Sequence, residues 1–186
     1  KTINIYIVYT NELENRITNL NNVIDVFKKL CNKNDIVVIT NIIKEPSSKI
    51  IDENVNSFNE RVDYSKFDDD NEYNQFIETL NTCQISNYEK HRELYKIIKD
   101  KDYKSYHMII EDDILISNNY INNIEELINY LKDDNNDMWD MLFLSLNTIN
   151  SEDKLVDFRK VYNKLITKCC YFIKPKICEK LYNDTH

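Results

Sequence analysis

The 186-residue sequence contains no glycine and no alanine, and only two prolines. A chain without glycine has no Gly-rich phosphate loop, no G-x-G-x-x-G dinucleotide fingerprint, no G-x-S-x-G nucleophile elbow and no standard EF-hand loop. Each of these needs a residue without Cβ, so that the backbone reaches positive φ or comes close to a ligand. Asn is expected to hold the left-handed turn and cap positions in glycine's place. The shortage itself is compositional. Gly, Ala and Pro have GC-rich codons, whereas the abundant Asn, Ile, Lys and Tyr have AT-rich ones. That bias points to an AT-rich genome, such as that of a giant virus or an AT-rich protist.

Other absences narrow the partners. With 24 basic against 32 acidic residues the net charge is −8, and no basic stripe is visible, which argues against a nucleic-acid partner. No segment approaches the roughly 20 apolar residues of a membrane span, and no signal peptide is evident. The chain begins at Lys1 rather than Met, so we read residues 1–186 as a single domain excised from a longer chain and short at its C-terminus. If viral, such a soluble domain belongs in the host cytoplasm or the virion. The cysteines (Cys31, Cys83, Cys169, Cys170 and Cys178) show neither C-x-x-C nor zinc-ligand spacing and are expected to be buried free thiols.

What is present reads as an alternation of strands and helices. Residues 3–9 (INIYIVY) form a first strand, and Asn11 with Glu14 marks a helix start. Leu13, Ile17, Leu20, Ile24, Phe27 and Cys31 then recur at helical spacing, and residues 35–42 form a second strand. A β-α-β opening of this length predicts a parallel crossover. Residues 43–71 read as a long surface excursion with one short helix, and 72–99 as helix in two pieces. In the second piece Ile85, Tyr88, His91, Tyr95 and Ile98 share a face, which makes His91 read as a satisfied core histidine rather than a catalytic one. Residues 105–110 are a strand, followed by a helix with Ile121, Ile124, Ile128 and Leu131 inward. The apolar run 139–146 predicts a central strand buried on both faces. Two further strands are expected near 155–162 and 165–173, and Pro175 opens a last helix with Ile177 and Leu181 inward. The order predicts an α/β domain with a mixed central sheet.

The strongest chemical signal is Glu111-Asp112-Asp113 at the end of a buried strand. In extended backbone Glu111 and Asp113 project together while Asp112 points elsewhere. Two adjacent carboxylates stay ionised most easily around a cation, and oxygen-only ligands suit Mg²⁺ or Mn²⁺. The ligand crevice of an open α/β sheet lies at the carboxyl ends of its strands, where this triplet falls. Asp68-Asp69-Asp70 and Asp100-Lys101-Asp102 have the same D-x-D spacing but read as solvated charge.

HMIIEDDILIS in this setting resembles the acidic strand motif of glycosyltransferase family 25, the lipopolysaccharide and collagen-type galactosyl- or glucosyltransferases. The likeness runs along most of the chain. IYIVYTNELENRITNL is similar to the family's first strand and Arg-bearing helix, TCQISNYEKHRELYKII to its Leu-Ser-His helix, WDMLFLSLN to its Trp-Asp strand and TKCCYFIKPKICEKL to its late strand and helix. Asn87 stands where the family usually has His, and Ser145-Leu146-Asn147 replaces a Gly-containing turn. The resemblance implies a GT-A (Rossmann-like) nucleotide-diphospho-sugar transferase fold, a UDP-sugar donor, Mn²⁺ or Mg²⁺, and a glycan or protein hydroxyl (hydroxylysine-type) as acceptor. Asp113 would bind the metal with Glu111 assisting, Asp112 would face ribose or sugar, and Thr10, Asn11 and Arg16 would meet the nucleotide. Arg16 also reads as an ordinary surface helix residue. An inverting transfer needs a base near the acceptor hydroxyl. Asp140 begins its strand and, if that strand is parallel to 105–110, lies at the far end; Glu152 and Asp153 are better placed, or are plain solvated loop. Two other readings stand beside this one: a non-catalytic sugar-nucleotide or carbohydrate-binding module of the same fold, and a Mg²⁺-dependent phosphotransfer enzyme.

Overall fold

The alternating N-terminal segment forms strand β1 (Thr2–Val8), and the helical stripe after it forms α1 (Glu14–Asn32). In the computed structural model the described residues are 1–10, 14–54, 57, 65, 68–79, 81–113, 120–133, 139–144 and 170–184. Helix α1 stops because Asp35 turns left-handed at φ 56°. Its N–H returns to the Asn32 carbonyl and the Ile36 N–H to the Cys31 carbonyl, a Schellman closure that pulls Ile36 into the core. Among the described residues, this position of positive φ is held by aspartate rather than by the asparagine expected in a glycine-free chain.

The chain continues through β2 (Val37–Ile43), α2 (Ser48–Glu53), α3 (Asp70–Thr79), α4 (Thr82–Ile98), β3 (Tyr106–Glu111), α5 (Tyr120–Lys132), β4 (Met141–Phe143), β5 (Cys170–Ile173) and α6 (Pro175–Asp184). The result is a mixed α/β architecture with an open five-stranded sheet in the order β2-β1-β3-β5-β4. Strand β1 runs parallel to β2 and β3, and β5 runs antiparallel to β3 and β4. This arrangement is compatible with a Rossmann-like fold. No helix among the described residues is long and apolar enough to cross a membrane.

Two apolar clusters sit on opposite faces of the sheet. Ile3, Ile5 and Ile7 of β1, with Tyr106, Met108 and Ile110 of β3, pack against Leu20, Ile24, Phe27 and Cys31 of α1 and Ile128 and Leu131 of α5. On the other face Tyr6, Val8, Ile109, Tyr171 and Ile173 meet Leu94 and Ile98 of α4 and Cys178 of α6. Each buried aliphatic side chain contributes roughly 1.5–3 kcal/mol relative to exposure. Period two along β3 thus sends His107, Ile109 and, at the strand's end, Glu111 toward α4.

Several expectations need correction. The 139–146 run is not a central strand: β5 lies between β3 and β4, leaving β4 at the edge of the described sheet with Asp140 and Leu144 exposed. Apolar composition reports burial but not position in a sheet. Tyr88 and Ile121 face solvent, because the inward arc of each helix is narrower than the stripe drawn for it. Cys31, Cys170 and Cys178 are buried free thiols as expected, but Cys83 is exposed. The strand expected near 155–162 and the helix start at Asn11 lie outside the described residues, as does Cys169.

His107 is buried in β3, with Nδ1 3.4 Å from the Tyr6 hydroxyl and Nε2 3.4 Å from the Asp102 carbonyl. Burial, with a smaller contribution from Lys101, lowers its pKa from the ordinary 6.5, against an opposing pull from Asp102. The unfolded chain therefore binds a proton near pH 6.5 that the folded chain refuses, and stability falls as pH drops below that value. Urea unfolding at pH 7.5 and pH 5.5 should show a lower midpoint at pH 5.5, and His107→Leu should reduce that difference. An unchanged pH dependence in the variant counts against a neutral buried His107.

Candidate functional site

The topology singles out one end of the sheet. From β1 the chain crosses to β2 on one side and later returns to β3 on the other, so strand order reverses between β1 and β3. At such a switch point the two following loops diverge and leave a crevice at the carboxyl ends of the strands. The residues there are Tyr9 and Thr10 after β1, and Glu111, Asp112 and Asp113 at the end of β3.

One peptide unit ties these ends together. The N–H of Thr10 donates to Asp112 Oδ2 at 2.7 Å, and the carbonyl of the same peptide, that of Tyr9, accepts from Lys90 Nζ at 2.8 Å. The backbone N–H of Asp112 in turn donates to the Val8 carbonyl, and that of Tyr9 to Ile43. Both Asp112 and Lys90 are at least 95% buried. Burying either charge alone costs several kcal/mol; opposite charges on the two ends of one amide dipole offset that cost.

Helix α4 supplies the wall. It starts at a capping box in which Asn81 accepts from the Gln84 N–H and Gln84 accepts from the Asn81 N–H. Cys83, Ser86, Asn87 and Lys90, spaced as one helical face, border a small, shallow cleft with Thr10, Ser47 and Ser48. Ser86 Oγ donates to the Pro46 carbonyl at 2.6 Å, which holds the entry to α2 against α4. One turn further, Asn87 Nδ2 and His91 Nε2 both reach Glu111 Oε1, at 2.9 and 3.1 Å. His91 is satisfied at both ring nitrogens, as expected, but one of its partners is the acidic motif itself, and its Nδ1 lies 2.9 Å from the Tyr171 hydroxyl.

The acidic triplet differs from its extended-chain picture. Strand β3 ends at Glu111, and Asp112 and Asp113 lie in a turn, so side-chain alternation does not carry through to Asp113. Glu111 faces α4, Asp112 is turned inward onto Thr10, and Asp113 is half-buried. Glu111 and Asp113 offer the hard oxygen donors that suit Mg²⁺ or Mn²⁺. Among the described residues no three His, Cys, Asp or Glu side chains converge as a self-sufficient metal site. A cation here would need further oxygens, such as those of a bound phosphate.

Of the other candidates, Arg16 lies in the first turn of α1 with its side chain outside the described set, as are Asn11, Glu152 and Asp153. Asp140 precedes β4, whose register with β5 and β3 puts Met141 level with His107, at the end of the sheet far from Glu111. The contributions of Lys90, His91 and Tyr171 were not anticipated. The one available signal was the polar spacing 83, 86, 87, 90 on a helix whose other face is apolar. Comparison of the chain with known protein families, characterised proteins and solved structures yields no match.

Two measurements test this geometry. Lys90→Met and Asp112→Asn should each lower the unfolding free energy by about 2 kcal/mol or more, since each leaves a buried charge poorly compensated. The double variant should lose less than the sum, because both act on one peptide unit; strict additivity in urea titrations would argue against the clamp. Burial raises the Cys31 and Cys178 thiols to about 12, so alkylation of the native protein at pH 7.5 should mark Cys83 ahead of Cys31, Cys170 and Cys178.

Proposed function

We propose that the protein is a metal-dependent glycosyltransferase with a GT-A-like fold, moving a hexose from a UDP-sugar to a hydroxyl of a glycan or protein. The observation that carries this reading is the position of Glu111-Asp112-Asp113. The triplet ends a buried parallel strand at the switch point of an open α/β sheet, beside a polar cleft. The sequence resemblance to glycosyltransferase family 25, which rests in part on the same triplet, adds to it.

In this reading Asp113 and Glu111 are the residues that would hold Mn²⁺ or Mg²⁺, with the remaining ligands supplied by the donor substrate. The ion, when bound, offsets negative charge developing on the diphosphate leaving group, without proton transfer. The chain's own residues do the rest. Asn87 and His91 orient Glu111, Asp112 and Lys90 fix the Tyr9–Thr10 peptide, and Asn11 and Arg16 are the residues that the resemblance assigns to the nucleotide. Asp112, which the resemblance would turn toward ribose or sugar, is buried and engaged by the Thr10 N–H, so in this reading it shapes the site from behind. Glu152 or Asp153 serves as the base that takes the acceptor's proton in an inverting transfer.

Isothermal titration with UDP in the presence and absence of Mn²⁺ tests the proposal. UDP should bind with Mn²⁺ and lose at least about tenfold in affinity in EDTA, and Asp113→Ala should abolish the metal-dependent part. Absence of metal-dependent UDP binding sinks the reading. Binding without hydrolysis or transfer from any UDP-sugar would favour a non-catalytic module instead.

A further inference from the structure

Glu111 is reached by a chain of polar groups from two elements, α4 and β5. Its Oε1 accepts from Asn87 Nδ2 at 2.9 Å and lies 3.1 Å from His91 Nε2, both on α4. His91 Nδ1 lies 2.9 Å from the hydroxyl of Tyr171 on β5, and that hydroxyl is 3.1 Å from the Tyr95 hydroxyl, one turn after His91. The His91 and Tyr171 rings stack with an interplanar angle of 14° and centroids 6.0 Å apart. Side-chain exposures of 12% and 13% for His91 and Glu111 keep this contact largely out of bulk water.

The inventory of donors gives the chain a direction. An ionised carboxylate only accepts, so in the neutral imidazole the hydrogen sits on Nε2 and is given to Glu111. Nδ1 must then accept, which makes the Tyr171 hydroxyl its donor. The single hydrogen of Tyr171 being used, the hydroxyl of Tyr95 donates to the Tyr171 oxygen. For that tautomer, each further direction follows from donor counting.

We propose that Tyr95, Tyr171 and His91 form a directed hydrogen-bond relay that, with Asn87, locks the Glu111 carboxylate in a ligating orientation, His91 acting as a positioning residue rather than a catalytic one. The inference rests on the reading of Glu111 as a metal-site residue. Two donors on one oxygen hold the carboxylate against α4, and hydrogen bonds at both ring nitrogens hold the imidazole in place. Hydrogen-bonded partners behind a metal ligand typically change metal affinity by about 10–100-fold when removed. The three elements involved meet only because period two sends Glu111 and Tyr171 to the same face of the sheet, under α4.

The test has two readouts. The first is the ¹⁵N spectrum of the histidine rings in the full chain, with His91→Gln used to assign the His91 signals. The wild type should show His91 as the Nε2–H tautomer, and Tyr171→Phe should give a mixture; a predominant Nδ1–H tautomer in the wild type overturns the relay. The second is Mn²⁺ affinity measured in the presence of UDP. His91→Phe should weaken it about tenfold or more, and Tyr171→Phe by less. His91→Gln, whose amide N–H reaches the place of Nε2, should recover most of the loss. Folded His91→Phe and Tyr171→Phe variants with wild-type Mn²⁺ affinity overturn the positioning role. A wild type with the expected tautomer but no Mn²⁺-dependent UDP binding overturns the functional reading, and the metal-positioning role with it, while the hydrogen-bond geometry stands.

Discussion

The site is organised around a single amide. The Tyr9–Thr10 peptide is gripped at its N–H by the buried Asp112 carboxylate and at its carbonyl by the buried Lys90 ammonium. Through it the end of β1, the turn after β3 and the middle of α4 become one unit. Neither charge is tolerable alone in a low-dielectric interior, and the amide dipole between them satisfies both. The crevice at the switch point is built outward from this contact, because the chain leaving β1 toward α1 starts from a fixed peptide.

This arrangement gives the absence of glycine a sharper meaning. Phosphate cradles made of backbone amides need a chain that approaches the ligand without Cβ atoms in the way. Here the first backbone N–H beyond Tyr9 is already engaged by Asp112. In the proposed reading the polar contacts come from side chains: carboxylates from the end of β3 and the Cys83, Ser86, Asn87 and Lys90 face of α4. A helix is well suited to this, since residues three and four apart present a continuous polar surface while Leu94 and Ile98 anchor the remainder to the sheet.

Legibility followed the range of the forces involved. The β1–α1–β2 crossover, the two-part helix before β3 and the helix opening at Pro175 were readable, because residues such as Leu20, Ile24, Phe27 and Cys31 repeat with the period of the structure they form. Ile121 and Tyr88 were misassigned because spacing shows that a stripe exists but not how wide its buried part is. The 139–146 run was misplaced because strand order depends on which distant segment pairs with it, and Cys170–Ile173 took the interior position. The importance of the acidic triplet was visible in its context. Its internal geometry was not, because strand periodicity ends where hydrogen bonding to the neighbouring strand ends.

The sequence by itself determined that this is an alternating α/β chain, that nucleotide-binding devices built on glycine are excluded, and that Glu111, Asp112 and Asp113 close an apolar strand. All three follow from local periodicity, from composition, and from the cost of placing acids beside buried residues. Only the tertiary structure decided what each acid touches: Glu111 with Asn87 and His91, and Asp112 with Thr10. Those contacts join residues between 20 and 102 positions apart in the chain. No local spacing encodes them, since they arise only when the sheet brings the ends of β1 and β3 together under one face of α4.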